Sequence, residues 1–162
     1  MFYRFYLLVL FTLLSGCAST PKFDTSQVDR SLTPKSVIAE AEASRGKVAL
    51  WGGTILDTRN LKDTTQIEVL AYPLNSSNQP MLESKPLGRF IIKHTGYLEP
   101  TSYAQGRDLT VLGSISGKQS AKVGETSYDY PVISDRQLHL WPLASDRSRT
   151  NVHFGIGVGV GL

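Results

Sequence analysis

Between Thr65 and Tyr72 the chain alternates: Ile67, Val69 and Ala71 fall on one face, while Gln66 and Glu68 begin the other. A period of two belongs to a strand with one side against a core and one side against water. Leu109, Val111 and Ile115 repeat the pattern with Gly113 between them. The segments Val48 to Leu56, Gly88 to Thr95 and Leu138 to Trp141 are likewise short and rich in branched and aromatic residues, with Gly, Pro, Asn and Asp in the intervals. Such spacing predicts a mainly β domain. Five or six short, coiled strands are expected to close into a small OB-like barrel, because closure hides sheet edges and gives the apolar faces one interior. A sandwich could use the same segments. Gly113 inside its strand allows a bulge or sharp coil, and Gly52 with Gly53 could serve the same purpose.

Ahead of the first strand, Thr33 can cap a helix and Pro34 can fill its first turn without losing a needed donor. Val37, Ile38 and Ala41 give that short helix a weak apolar side as far as about Ser44. Residues 33–144 are therefore expected to form the folded domain. Residues 17–32, which contain Ser, Thr, Asp, Gln and Pro without a sustained apolar pattern, suit a flexible tether. Residues 145–162 form a Gly-rich tail.

The first residues have a different purpose. Phe5 to Leu14 is apolar apart from Thr12, follows Arg4, and falls short of the ~20 residues that a membrane-spanning helix needs. It reads as the hydrophobic region of a secretory signal peptide over residues 1–16. Leu14-Ser15-Gly16-Cys17 resembles the lipobox of bacterial lipoproteins. The resemblance implies that the Cys17 thiol receives a diacylglyceryl group, that the chain is cut before Cys17, and that the freed amine is acylated. Ala18, standing where Asp commonly holds lipoproteins at the inner membrane, implies transfer to the outer membrane. The first expected partner is thus a membrane, through N-terminal lipid. Since Cys17 is the chain's one cysteine, no intramolecular disulfide is available.

Loss of the signal peptide removes Arg4 and lowers the formal charge by one unit from +3. So balanced a chain gives no reason to expect a nucleic-acid partner. His94, His139 and His153 are too far apart in sequence for a local metal motif. Glu40 and Glu42, two residues apart, would not share a helix face. No serine-nucleophile elbow, zinc-protease, phosphate-loop or dinucleotide pattern occurs in the sequence. No catalytic residue, metal or cofactor is expected.

Tyr97, Tyr103, Tyr128, Tyr130 and Trp141 are the candidates for ligand or partner contact. They could line an aromatic groove for an envelope glycan, although tyrosine and tryptophan also build cores and interfaces with their polar tips at water. In the tail, Phe154-Gly155-Ile156-Gly157-Val158-Gly159-Val160-Gly161-Leu162 alternates glycine with apolar residues. As a strand it would present Ile156, Val158, Val160 and Leu162 on one face and could dock on an envelope protein or a second copy. The same segment could instead be a disordered end. Interior glycines, at about 1 kcal/mol each relative to alanine, disfavour a helix.

The lipobox ending in Cys17, Val48-Ala49-Leu50-Trp51-Gly52-Gly53 with Ile55, and Thr65-Gln66-Ile67-Glu68-Val69-Leu70 leading to Tyr72-Pro73-Leu74 together resemble the Slp family of outer-membrane lipoproteins. Gly88-Arg89-Phe90, Gly96-Tyr97-Leu98-Glu99-Pro100, Tyr103, Gly106-Arg107, Thr110-Val111-Leu112-Gly113 and Leu140-Trp141 extend the resemblance to Pro142. It implies a lipid-anchored outer-membrane protein tied to envelope or stress physiology, and it brings no catalytic residues with it. The expected function is a noncatalytic structural or protein-interaction role in the envelope. A glycan or small-ligand binding module is the alternative.

Overall fold

The computed structural model describes residues 21–143. Helix α1 (Pro34–Ala39) is capped by Thr33, whose hydroxyl accepts from the Ser36 amide while the Ser36 hydroxyl accepts from the Thr33 amide. A reciprocal cap of this kind satisfies two of the donors that a helix start leaves open. Helix α2 (Ala41–Ser44) follows at once, and the break at Glu40 (φ −129°, ψ 50°) divides the expected single helix in two. Only Pro34, Val37 and Ser44 of these helices are buried, so little apolar packing is available to hold one straight rod.

Five strands follow: β1 (Val48–Asn60), β2 (Thr64–Tyr72), β3 (Gly88–Thr95), β4 (Asp108–Val123) and β5 (Thr126–Leu140). Antiparallel pairs join β1 to β2, β2 to β3, β4 to β5 and β4 to β1. A parallel pair joins β3 to β5, so the order β1-β2-β3-β5-β4 returns to its start.

The expectation of a small OB-like barrel of five or six short strands needs correction: the pairings return to their start, but the strands run to 16 residues and the two longest extend past the ring. The sheet is mixed and has five strands; its parallel seam is limited to Ile91, Ile92 and Lys93 against Val132, Ile133 and Ser134. Among the described residues, β4 from Gly117 to Val123 pairs with β5 alone, over Lys118↔Pro131 to Val123↔Thr126, as a ribbon beyond the ring of pairings. Two register shifts interrupt the β4–β5 pair: at Leu112/Gly113 the extra residue is Arg136 of β5, and at Ile115/Gly117 it is Ser116 of β4, which bends β4 before it enters the ribbon. Gly117, at φ +130°, adopts a backbone conformation that a side chain would strain. Pro131 has no amide hydrogen and sits where β5 has a partner on one side only, a position in which proline costs no ladder bond.

The core follows the alternation. Thr65, Ile67, Val69 and Ala71 of β2 are buried, each next to a half-buried residue. Leu109, Val111 and Ile115 of β4 join Ala49, Trp51, Ile55, Phe90, Ile92 and Ile133 in one cluster, to which α1 adds Val37. Gly113 lies opposite a bulge, whose extra residue, Arg136, belongs to β5 and not to the glycine's own strand. Gly52 and Gly53 do not: β1 is bulged later, between Ile55 and Asp57. They lie where neighbouring strands press on the backbone, and a β carbon on Gly53 would sit 1.9 Å from the Leu70 carbonyl oxygen.

Residues 21–32, read from composition as a tether, are laid on the domain. Val28 bridges to Val48, the Asp29 amide donates to the Val48 carbonyl, and Gln137 Nε2 donates to the Lys22 carbonyl. Trp51 meets Phe90 edge-on with ring centroids 5.1 Å apart, and its Nε1 donates to the Leu32 carbonyl at 2.9 Å. The indole therefore fixes the segment entering α1 to the core. Trp51→Ala is expected to cost about 3–5 kcal/mol through lost packing. Trp51→Phe, which deletes chiefly the hydrogen bond, should cost about 1 kcal/mol. Denaturant midpoints at unchanged slope measure both; equal losses would show that the bond, not the packing, dominates.

Candidate functional site

The five aromatic candidates do not share a groove. Tyr97 follows β3 in an exposed turn, with 67% of its surface open, and donates to Glu99 Oε2 at 3.2 Å. Tyr103, in the β3–β4 connection, packs against the main core, and burial pushes its phenol above the ordinary value, helped by nearby Asp135. Trp141, just beyond β5, is buried and donates from Nε1 to Thr110 Oγ1 at 3.0 Å while its ring meets His139 edge-on. Burial in turn depresses the His139 pKa.

Tyr128 and Tyr130 are brought together on the ribbon arm of β5, with centroids 4.7 Å apart. With Ile91, Val132 and Ala121 they form a second apolar cluster, separate from the main one. Strand geometry explains the separation: Phe90 and Ile92 of β3 point inward, so Ile91 between them points out. Beside this cluster Glu68 Oε1 accepts from Arg89 Nη1 at 2.8 Å and from the Tyr130 hydroxyl at 3.0 Å. Burial raises the Tyr130 pKa, and the bond to Glu68 reinforces it. A cleft of about 60 Å3 opens here, lined by Asp57, Arg59, Gln66, Glu68, Gln119 and Lys122 among others. It is too small for a sugar ring, since ligand pockets ordinarily run to about 300 Å3 or more.

A larger cleft of about 210 Å3 lies between residues 28–34 and the ends of β1 and β2, with Trp51, Tyr72, Leu74 and Leu87 in its wall. Of the five aromatic candidates, none lines it. Two polar contacts beside the core tie strands to their surroundings. Thr65 Oγ1, fully buried, lies 2.5 Å from Asn60 Oδ1 and 2.8 Å from the Gly96 carbonyl and accepts from the Leu98 amide at 3.1 Å, tying β2 to the turn after β3. His94 Nδ1 lies 2.7 Å from Asp135 Oδ2, a contact between β3 and β5 that the sequence separation hid. Among the described residues, no group of three or more His, Cys, Asp or Glu is placed to hold a metal ion.

Cys17 and the tail residues Ile156, Val158, Val160 and Leu162 lie outside the described residues. Sequence reasoning missed the ribbon itself. Its Lys118, Gln119, Ser120 and Lys122 alternate with little that is apolar, and Pro131 interrupts the other arm. The paired tyrosines at Tyr128 and Tyr130, two residues apart, were the one strand signal there.

The model of a family described as the outer membrane lipoprotein Slp family matches residues 14–156. A protein of Haemophilus influenzae is 31% identical over 139 residues, covering 82% of this chain and 72% of its own length. The outer membrane protein Slp of Escherichia coli is 27% identical over 139 residues, covering 85% of this chain and 73% of the relative. The lipoprotein YeaY of the same organism is 29% identical over 135 residues, covering 81% and 68%. The match reaches from the lipobox through all five strands, and the chain belongs to the Slp family of lipid-anchored outer-membrane proteins.

Proposed function

We propose that this chain is a noncatalytic outer-membrane lipoprotein whose folded domain serves a structural or interaction role, and that its partner is an envelope protein or a second copy. The observation that carries this reading is the β4–β5 ribbon. Among the described residues its two arms have only each other as strand partners, so each leaves a row of backbone groups open to another strand. The ring interior, by contrast, is filled by buried apolar side chains from all five strands. The dispersal of Tyr97, Tyr103 and Trp141 away from the Tyr128–Tyr130 pair weighs against the alternative of a glycan groove.

The segment from Ile156 to Leu162 suits such an edge. As a strand it would offer main-chain hydrogen bonds for attachment, with apolar side chains on one face setting the register. A photo-crosslinking residue at the exposed Ser127 of the full lipidated chain is expected to trap a reproducible adduct in cells, twice the protomer mass if the partner is a second copy. Deleting residues 155–162, or replacing Val158 by Pro to remove a backbone donor, should lower the yield severalfold without changing membrane fractionation. An adduct of undiminished yield in both variants would reject attachment through the tail.

A further inference from the structure

The anchor and the first docked residue are close in sequence, and that decides which face of the domain can meet the bilayer. Lys22 lies five positions beyond Cys17, a stretch that spans at most roughly 18 Å when extended. The Lys22 carbonyl is held by Gln137 of β5. Whatever surface surrounds Gln137 is therefore kept within that reach of the lipid.

That surface is basic. Beside Gln137, Arg136 Nη2 donates to Ser114 Oγ at 2.7 Å, and Ser114 is paired across the sheet with Val48. Lys47, next to Val48, accepts on its carbonyl from the Ile115 amide, and Arg45 donates to the Ser116 carbonyl. Lys22, Arg45, Lys47 and Arg136 are all exposed. Glu42 pairs with Arg45 at 3.0 Å, and Asp29 approaches Lys47 at 4.0 Å. Asp135, beside Arg136 in sequence, is turned to His94 with its side chain 9% exposed. Lys22 and Arg136 have no carboxylate within ion-pair distance among the described residues.

We infer that this β4–β5 face, carrying Lys22 and Arg136 with Arg45 and Lys47 beside them, lies on the anionic phospholipid headgroups of the leaflet that holds the protein's own acyl chains. The charges of the face match phosphate, and the short leash supplies the proximity that two unpaired cations alone would not. Each Lys or Arg near an anionic surface shifts the docked-to-free ratio about fivefold at physiological salt. The attraction is confined to about 10 Å by screening, a distance the leash allows and a longer one would dilute. The inference rests on lipidation at Cys17, and the two can fail separately: Cys17→Ala removes the lipid and with it outer-membrane fractionation, whereas loss of headgroup contact leaves an anchored but freely tumbling domain.

The test uses the lipidated mature chain reconstituted into vesicles of phosphatidylcholine alone or with phosphatidylglycerol, read by amide hydrogen exchange. Phosphatidylglycerol is expected to slow exchange around residues 112–117 and 134–137, and raised salt should reverse the effect. The pair Lys22→Glu and Arg136→Glu should return exchange to the phosphatidylcholine level with membrane association intact. Lys22→Arg with Arg136→Lys, which keeps the charge, should preserve the protection. Equal exchange in both vesicle types overturns the inference, as does protection centred on Met81 and Leu82, exposed apolar residues of the β2–β3 connection, or protection that requires lipopolysaccharide in place of phosphatidylglycerol.

Discussion

Gly53→Ala is expected to destabilise the domain by at least about 3 kcal/mol, the upper range for forcing atoms into a packed site. Its β carbon would sit 1.9 Å from the Leu70 carbonyl oxygen and 2.7 Å from the carbonyl carbon, and both are backbone atoms of the paired strand. No rotamer change can relieve that contact. The strands must part where Gly53 pairs with Ala71 on one side and Leu109 on the other. With total stability of a domain this size near 5–15 kcal/mol, a loss of that order should lower the melting temperature by ten degrees or more. Gly113→Ala should behave alike, since its β carbon would lie 2.3 Å from the Ser134 carbonyl oxygen. Gly46→Ala provides the contrast: φ is +80° but nothing lies within 4 Å, so only backbone strain of about 1 kcal/mol is expected. Melting curves of the three variants that coincide would refute the close-approach explanation.

These glycines also mark how far sequence reasoning reaches. The alternation that places Ile67, Val69, Leu109, Val111 and Ile115 in the core is local, and each of them is buried. A glycine inside an alternating strand announces a backbone requirement, but it does not say which. At Gly113 a close neighbour sits beside a bulge in the facing strand; at Gly53 the requirement is the neighbour alone. Strand order, the short parallel seam and the ribbon depend on contacts between residues far apart in the chain, for which period and composition carry no signal. His94 with Asp135, and Glu68 with Tyr130, are separated by 41 and 62 positions. The basic face was illegible for the same reason: Lys22, Arg45 and Arg136 read as scattered charges until the fold gathers them. Residues 21–32 looked like linker because their attachments are backbone bridges and a single indole hydrogen bond, which leave no periodicity.

Cys17→Ala is expected to abolish both lipid labelling and outer-membrane fractionation, the largest effect any single change in this chain should have. The thiol is the only one present, so no other residue can take a thioether-linked diacylglyceryl group. Anchoring strength follows from the buried methylenes at about 0.8 kcal/mol each, and two acyl chains suffice for stable attachment. The protein-side contribution is small by comparison: among the described residues no helix is long and apolar enough to cross a membrane. A two-cation surface contact, about 1 kcal/mol per charge near an anionic leaflet, cannot hold an unlipidated chain through fractionation and washing. Metabolic labelling with a fatty-acid analogue should mark the wild type and leave Cys17→Ala unmarked, with the variant recovered in soluble fractions or uncleaved. Ala18→Asp should keep the label and move the protein toward the inner membrane. Labelling that persists in Cys17→Ala would place the lipid elsewhere, and with it the length of chain that sets how closely the Gln137 face approaches the bilayer.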